Sequence, residues 1–291
     1  MSMAQCPDRK KQIIEQYKSA YKVLAREHDL SPNNPVINET LHALVKSLGA
    51  CYGCEWAADI ASDEEIRKVR PDMLQKLGQA ETLMEFYYAE KLLAGAPHLD
   101  YLQTFLYWEN YEKLVENELQ ALFAIIEKRS VSSIAFVGSG PLPLSALLLQ
   151  RQIERPVVCI DIDEKAHAAG KKLIDAYGWG ETVRCVLADG AHYDYRRHDI
   201  VWIASLVPNK EEVIERVYEI NREAIIAIRS VDGIYELLYE PVDVAYFRRA
   251  GCQKIGDAKA NRSIINSTVF IAYNGLPTSQ RPPSITRVSG A

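Results

Sequence analysis

The sequence predicts an α/β protein, in which a helical N-terminal part precedes a Rossmann-like domain with a mostly parallel sheet and helices on both faces. Residues 7–130 place apolar side chains at helical spacing almost throughout. Beyond residue 130, short apolar runs alternate with helical patterns, as in parallel sheets covered by helices. The run at 134–137 ends in the glycine turn Gly138-Ser-Gly140, which is typical of a nucleotide-binding β-α-β unit.

The helical part, residues 1–130, is divided by recognisable breaks. Prolines interrupt the pattern at Ser31–Pro35, because proline restricts the preceding residue and lacks an N–H donor. The segment Ser62–Glu65 resembles a helix N-cap with an acidic first turn, and Gly95-Ala-Pro97 ends the pattern that follows. The predicted helices are 10–26, 35–48, 71–93 and 99–128.

The Rossmann-like domain is predicted over residues 131–275. Strands are expected at 133–137, 156–160, 183–187, 200–203, 224–228 and 268–272. Helices are expected near 143–152, 164–177, 210–220 and 242–250. The last strand lies close to Ser263-Ile-Ile265, which suggests one antiparallel pair at the sheet edge. Residues 276–291 are rich in proline and serine and poor in core residues, so we expect a flexible tail.

Composition excludes several classes of partner. The 291 residues are 48% hydrophobic and 25% charged with a net charge of −5, so nothing suggests a nucleic-acid or membrane-surface partner. No apolar run is long enough to span a bilayer, and the N-terminus lacks a signal-peptide pattern, so a cytoplasmic protein with reduced cysteines is expected. The pair Cys51 and Cys54 has no second ligand pair, which favours ordinary thiols over a zinc site; no metal ligand is assigned.

The glycine turn is followed by an unusual sequence. Glycines let the backbone approach a ligand closely, and an acid about 20 residues later, here Asp161, can accept the ribose hydroxyls. Prolines occupy two positions of the loop where a further glycine is common. The cofactor-binding residues expected from this unit are Gly138, Ser139, Gly140, Pro141, Leu142, Pro143, Asp161 and Ile162.

Both NAD and S-adenosylmethionine (SAM) fit such a unit, but three further positions favour SAM. Asp189, followed by Gly190, stands after the third strand, where SAM enzymes commonly grip the adenine edge. Ser205 ends the fourth strand beside the expected cofactor, and acids continue after Asp161. Phe136 stands where methyltransferases usually carry an acid that holds the methionine end of SAM. A group other than methyl is therefore expected to face the nucleophile.

The residues resemble those of a known family. Gly138–Ser145, Phe247–Gly251 and the helical N-terminal part are similar to nicotianamine synthases, and Arg229–Ile234 is more similar to the branch that builds opine metallophores of the staphylopine and pseudopaline type. The resemblance implies transfer of the 3-amino-3-carboxypropyl (aminobutyrate) group of SAM to the α-amine of an amino acid, with histidine as the implied acceptor. Methylthioadenosine would leave, and the product would pass to an opine dehydrogenase.

The same resemblance implies roles for particular residues. The family's proposed catalytic glutamate matches Glu85, which would take a proton from the acceptor amine. A family tyrosine matches Tyr111, and with Tyr107 it would orient the amine or carboxylate. Arg229 is a candidate for binding a carboxylate, and Asp232 for an ammonium or an imidazole.

Other interpretations stay open at this point. Glu85 can be a solvated helix residue, the tyrosines can be packing residues, and Arg229 can pair with a surface carboxylate. A SAM-dependent small-molecule N-methyltransferase is the alternative enzyme, and its by-product, S-adenosylhomocysteine, would distinguish it. A module that senses SAM or binds a metal chelate would bind tightly without turnover. The helical part offers enough apolar surface for a homodimer.

Overall fold

A computed structural model describes residues 6–95 and 107–275. The predicted tail at 276–291 and the first part of the helix predicted at 99–128 lie outside these ranges. The described helices are α1 Cys6–Arg26, α2 Pro35–Ala50, α3 Ala57–Ala61, α4 Glu64–Ala94, α5 Trp108–Phe123, α6 Leu144–Ile153, α7 Glu164–Ala176, α8 Lys210–Ile220 and α9 Val244–Arg249. The strands are β1 Ile134–Val137, β2 Val157–Asp161, β3 Val183–Leu187, β4 Ile200–Ile203, β5 Ile225–Ser230, β6 Cys252–Ala258 and β7 Ser267–Tyr273.

The strands form one seven-stranded sheet in the order β3-β2-β1-β4-β5-β7-β6. The first five strands in sequence pair in parallel, and β7 lies antiparallel between β5 and β6. Ile134 on β1 is in register with Val157 on one side and Ile200 on the other. The strand order reverses between β1 and β4, and in such sheets ligands bind at the carboxyl ends beside that reversal. The predicted Rossmann-like fold is confirmed.

The sheet edge corrects one sequence-based expectation. The partner of the last strand is β6, not the segment around Ser263–Ile265, which is not a strand. β6 carries polar residues and a bulge between Lys254 and Gly256, so it lacks the apolar run that marks the other strands. Charged, bulged sequences are common at sheet edges, where pairing depends on backbone hydrogen bonds to a buried neighbour.

Helix α4 is longer than its sequence pattern predicts. It begins at Glu64, as the N-cap pattern at Ser62–Glu65 indicates, and not near Pro71, where the apolar helical pattern starts. Asp63 caps it by accepting from the N–H groups of Glu65 and Ile66. A proline inside a helix costs about 3 kcal/mol. Ile66 and Met73, on either side of Pro71, are both completely buried. Burial of two such side chains contributes about 1.5–3 kcal/mol each, which offsets the proline.

Core residues lie on both faces of the sheet. Along β1, Ile134 and Phe136 join a cluster that includes residues of α5 and α6, whereas Ala135 and Val137 join the cluster on the opposite face. A third cluster joins α1, α2 and α4 to residues between 231 and 265. The helical part therefore shares its core with segments that follow β5. None of the helices described has the length and apolar character to cross a bilayer.

Candidate active site

The site is a cavity of ≈ 660 Å³ at the carboxyl ends of β1, β2 and β4. Helices α2 and α4 and the start of α5 close it from the side of the helical part. Most of the sequence-predicted site residues line it, and these are Glu85, Tyr107, Tyr111, Gly138, Ser139, Gly140, Pro141, Leu142, Asp161, Ile162, Asp189, Gly190, Ser205 and Arg229. The topology therefore brings residues far apart in sequence into one chamber.

The glycine loop is fixed to β2 by hydrogen bonds. The Gly138 N–H donates to the Ile160 carbonyl at 2.8 Å, and the Gly140 N–H donates to Asp161 Oδ2 at 2.8 Å. Asp161 Oδ1 accepts from the Asp163 N–H at 3.0 Å. Each carboxylate oxygen keeps a lone pair after one such bond, so Asp161 can support the loop and still accept from two neighbouring hydroxyls.

The outer rim of the cavity combines apolar and polar groups. Ile162 is 66% exposed and Leu206 is 44% exposed, and both line the cavity, so they offer apolar surface to a flat ring. Asp189 accepts from the Ala191 N–H at 2.9 Å, which lowers the pKa of its carboxyl. Asn266 donates to Ser205 Oγ at 2.9 Å. The rim can therefore pack a base and accept a hydrogen bond from its edge.

Two glutamates on α4 face the inner end of the cavity. Glu81 and Glu85 lie one helical turn apart, so both carboxylates project from the same side of α4. Tyr239 donates to Glu81 Oε2 at 2.7 Å, and Tyr111 donates to Glu85 Oε1 at 3.3 Å. The pair places two carboxylates and two phenols around one small space.

Both glutamates have a raised pKa. For Glu85, removal from water is the main cause, and the negative charge of Glu81 adds to it, so the pKa lies well above its ordinary value. Burial also raises the pKa of Glu81. Burial raises the pKa of Tyr107 to about 12 and that of Tyr111 well above its ordinary value, so both phenols stay protonated. A carboxylate with a raised pKa can accept a proton near neutral pH.

Glu85 also approaches the glycine loop from α4. The Cβ that any other residue would carry at Gly140 would collide with Glu85 Oε2, and Gly140 has a φ of +68°. Glycine therefore suits this position for two reasons: it adopts the positive φ of the turn, and it leaves room for the Glu85 carboxylate. This contact sets the candidate base directly against the nucleotide-binding loop.

Arg229 lies at the end of β5 and pairs with a buried carboxylate. Its Nε and Nη2 donate to the two oxygens of Glu118 at 2.9 and 3.0 Å, and its Nη1 donates to Ser145 Oγ at 2.7 Å. Thr268 also donates to Glu118, at 2.5 Å. The ring of Phe136 lies 5.4 Å from the guanidinium. Three of the five guanidinium N–H groups are engaged in this way, and Arg229 still lines the cavity.

Two sequence-predicted positions do not line the cavity. Asp232 accepts from the Tyr52 hydroxyl at 2.8 Å, and Tyr52 stacks on Tyr235 away from the cavity wall. Pro143 stands at the start of α6, behind the loop, beside Gly170 of α7. The structure therefore gives Asp232 a partner within the protein and gives Pro143 a place in the packing of two helices.

Several lining residues were not predicted from the sequence. Glu81 and Tyr239 belong to the carboxylate–phenol group, and Asn38, Asn110 and Asn266 also line the cavity. Glu81 precedes Glu85 by four residues, and this helical spacing was a signal that could have identified it. Asn38 and Asn110 lie on helices, and Tyr239 and Asn266 lie in connections, with no sequence motif around them. Only the tertiary structure therefore identifies them as lining residues.

Lys210 supports the loop after β4 from outside the cavity. Its ammonium donates to the carbonyls of Ser205 and Val207 at 2.6 and 2.7 Å. Burial lowers its pKa to about 8. Both carbonyls belong to residues that line the cavity, so Lys210 fixes the backbone of this wall.

Fold and site together define a class of enzyme. A Rossmann-like sheet presents a glycine loop at its carboxyl edge, and a carboxylate with raised pKa faces that loop from a preceding helix. This arrangement suits transfer of a group from a nucleoside-bearing donor to an amine. The family model "Nicotianamine synthase protein" matches residues 6–275, and the chain therefore belongs to the nicotianamine synthase family. Members of this family are SAM-dependent aminobutyryl transferases.

Two of the curated relatives are cereal proteins. Nicotianamine synthase 2 of Oryza sativa subsp. japonica is 27% identical over 270 residues, which cover 88% of this chain and 81% of the relative. Nicotianamine synthase 9 of Hordeum vulgare is 29% identical over 251 residues, covering 83% and 73% respectively. The resemblance inferred from the glycine loop is thus confirmed at the level of the family.

Solved structures show the same fold. A variant of MtNAS in complex with S-adenosylmethionine has a TM-score of 0.76 at 19% identity, covering 91% of this chain and 98% of that chain. MtNAS in complex with MTA and tNA has a TM-score of 0.76 at 20% identity, covering 94% and 99% respectively. At this identity the likeness establishes the shared fold along almost the whole length of both chains.

Proposed function

We propose that this protein transfers the 3-amino-3-carboxypropyl group of SAM to the α-amine of histidine, with release of methylthioadenosine. The product would be an intermediate of a nicotianamine-like opine metallophore, for an opine dehydrogenase to use next. Membership of the family supports the transfer reaction. The acceptor and the pathway rest on the similarity of Arg229–Ile234 to the opine-metallophore branch.

The strand ends offer a complete set of contacts for the nucleoside of SAM. Asp161 has free lone pairs for the ribose hydroxyls, and Gly138 and Gly140 let the backbone come close. Ile162 and Leu206 provide the apolar surface for adenine. Because these groups occupy the outer part of the cavity, the sulfonium would lie farther in, toward Glu85.

The reaction needs a neutral amine, since an ammonium has no lone pair. SAM supplies a carbon activated by its sulfonium. The amine nitrogen forms a bond to that carbon as the carbon–sulfur bond breaks, and the electron pair goes to sulfur. Glu85 takes the proton that the amine gives up, and Tyr111 holds its carboxylate in place through the 3.3 Å hydrogen bond.

The aminobutyrate end of SAM has an unusual neighbour. Phe136 replaces the acid that methyltransferases usually carry, and its ring lines the cavity beside the Arg229 guanidinium. Two N–H groups of Arg229 remain after its bonds to Glu118 and Ser145, and these can receive a carboxylate. This arrangement supports a pose that turns the aminobutyrate carbon, not the methyl group, toward the amine.

One observation carries the proposal. The carboxylate of Glu85, with its raised pKa, lies so close to Gly140 that a Cβ at this position would displace it. A base in that position faces the donor directly. A solvated helix residue would have no such relation to the loop.

The test is mass spectrometry of the purified protein incubated with SAM and L-His, D-His or Glu in separate reactions. We expect methylthioadenosine and a product heavier by one aminobutyrate unit with histidine. S-adenosylhomocysteine would instead identify a methyltransferase. Binding of SAM without any by-product would identify a binding module and contradict the proposal.

A further inference from the structure

Besides the strand ends and the two glutamates, residues at and before α2 in the helical part line the cavity. We call this part of the cavity the α2 arm; its lining residues are Leu30, Pro32, Ile37, Asn38, Leu41 and Val45. Positions 38, 41 and 45 follow helical spacing, so they share one face of α2. Leu238 closes the arm from the segment after β5. The walls are continuous with the core cluster of the helical part, which keeps them in place.

Asn38 is the one polar side chain of the α2 arm. Its Nδ2 donates to the Pro32 carbonyl at 2.9 Å, which fixes the plane and direction of the amide. Within residues 6–95 and 107–275, no group donates to Asn38 Oδ1. A half-buried amide oxygen in an apolar wall gains most from a ligand that donates an N–H, and loses most from one that does not.

Asp232, which the sequence suggested for an imidazole or ammonium, has its partner in Tyr52 and does not line the cavity. Asn38, in contrast, lines the cavity and offers its amide oxygen on the α2 side. Its uncharged amide suits a neutral donor. A charged side chain would lose hydration against the apolar Leu41 and Val45, which costs more than for a neutral one.

We propose that Asn38 determines acceptor specificity by accepting a hydrogen bond from a planar, neutral N–H-bearing side chain, an imidazole or a carboxamide, held between the apolar walls of the α2 arm. The inference rests on the proposed aminobutyrate transfer and extends it to the acceptor side chain. Asn38 acts on the substrate side chain and takes no part in the bond-forming step.

The test compares acceptors that differ in hydrogen bonding but not in size. Histidine, glutamine and β-(2-thienyl)alanine, whose ring has no N–H, are each supplied with SAM to wild type and Asn38→Leu. The control variant is Asn33→Leu, because Asn33 is exposed in the same connection and does not line the cavity. Methylthioadenosine release gives kcat/KM for each pair.

We expect wild type to have a higher kcat/KM with histidine or glutamine than with thienylalanine. Whichever of histidine and glutamine has the higher kcat/KM shows whether the preferred side chain is an imidazole or a carboxamide. Asn38→Leu should reduce that preference about 10- to 100-fold, because a half-buried hydrogen bond to the acceptor side chain is lost. Asn33→Leu should leave it unchanged. If Asn38 acts only through its hydrogen bond to Pro32, Asn38→Leu should lower kcat/KM equally for all three acceptors. Such an equal decrease would overturn the inference.

The same data separate this inference from the proposed function. If methylthioadenosine is released and the acceptor preference is the same in wild type and Asn38→Leu, the inference is overturned and the proposed aminobutyrate transfer stands. S-adenosylhomocysteine, or no by-product with any acceptor, overturns the aminobutyrate transfer and this inference with it.

Discussion

Glu85 obtains its chemical character from residues outside its own segment. Desolvation by the cavity walls and the charge of Glu81 raise its pKa, whereas the hydrogen bond from Tyr111 acts in the opposite direction. The charge of Arg229 also lowers it, and that charge is largely committed to Glu118. The balance favours the protonated form more than in an exposed glutamate, which is the property of a proton acceptor that works near neutral pH.

Replacement of Glu85 by glutamine should remove the base and keep the shape of the site. We expect kcat/KM for methylthioadenosine release to fall about 10²- to 10⁴-fold, the usual contribution of a general base. SAM affinity, measured by calorimetry, should stay within a few-fold of wild type. Glu90→Gln, an exposed position on the same helix, is the matched control. A Glu85→Gln enzyme with wild-type turnover would rule out Glu85 as the base.

Replacement of Glu81 by glutamine tests the coupling between the two carboxylates. Because the charge of Glu81 raises the pKa of Glu85, its removal should lower that pKa. The base is active when ionised, so activity is lost as pH falls through the pKa of Glu85. The acid limb of the kcat profile should therefore move to lower pH in Glu81→Gln and not in Glu90→Gln. A limb that stays in place, or moves up, would contradict the coupling.

At the scale of elements, the glycine loop and α4 form one unit, although Gly140 follows the last residue of α4, Ala94, by 46 positions in the chain. The loop is held from β2 by Asp161 and faces the carboxylate from α4. On the other side, Gly170 of α7 packs against the loop, where an added Cβ would lie 3.2 Å from the Gly140 carbonyl. The loop is therefore enclosed on both sides, and small changes in it should reach Glu85.

Replacement of Gly140 by alanine separates backbone strain from the contact with Glu85. Gly178 has nearly the same φ, +69° against +68°, but nothing lies within 4 Å of an added Cβ. Both variants should lose about 1–2 kcal/mol of stability from the left-handed conformation. Only Gly140→Ala should also lose most methylthioadenosine release, because its methyl group displaces the carboxylate. Equal activity in the two variants would show that this contact has no role.

At the scale of the whole molecule, the helical part and the sheet share their cores. Residues of α1, α2 and α4 pack with Val231, Ile234 and Leu237, which follow β5. A hydrogen bond from Tyr17 to the Leu237 carbonyl at 3.0 Å crosses the same contact. Helix α5 packs on the sheet itself. The division near residue 130 therefore stays a prediction, and the cavity lies where the two parts meet.

Because the helical part and the sheet share hydrophobic clusters, we expect the whole protein to unfold in a single transition. Differential scanning calorimetry should give one peak with equal calorimetric and van't Hoff enthalpies. Ile66→Ala in α4 and Val201→Ala in β4 both remove completely buried apolar groups from different clusters. Each should lower that one transition without splitting it. Two resolved peaks, with each variant affecting a different one, would show independent domains.

The sequence by itself determined the Rossmann-like fold, the glycine loop and the acid that supports it. These features are local: an apolar run, a turn and an acid lie within about 30 residues and carry their own periodicity. The resemblance built on them supplied Glu85 on α4 and Tyr111 on α5, which have no local motif that distinguishes a catalytic from a packing residue.

Only the tertiary structure decided the surroundings of those residues. The bond of Tyr239 to Glu81, the pairing of Arg229 with Glu118 and of Asp232 with Tyr52, and the cavity that Asn38 shares with the strand ends all join segments distant in the chain. The physical reason is that burial, charge coupling and hydrogen-bond partners depend on which surfaces meet across the cavity. A one-dimensional pattern records which faces are apolar, but not which face each one meets.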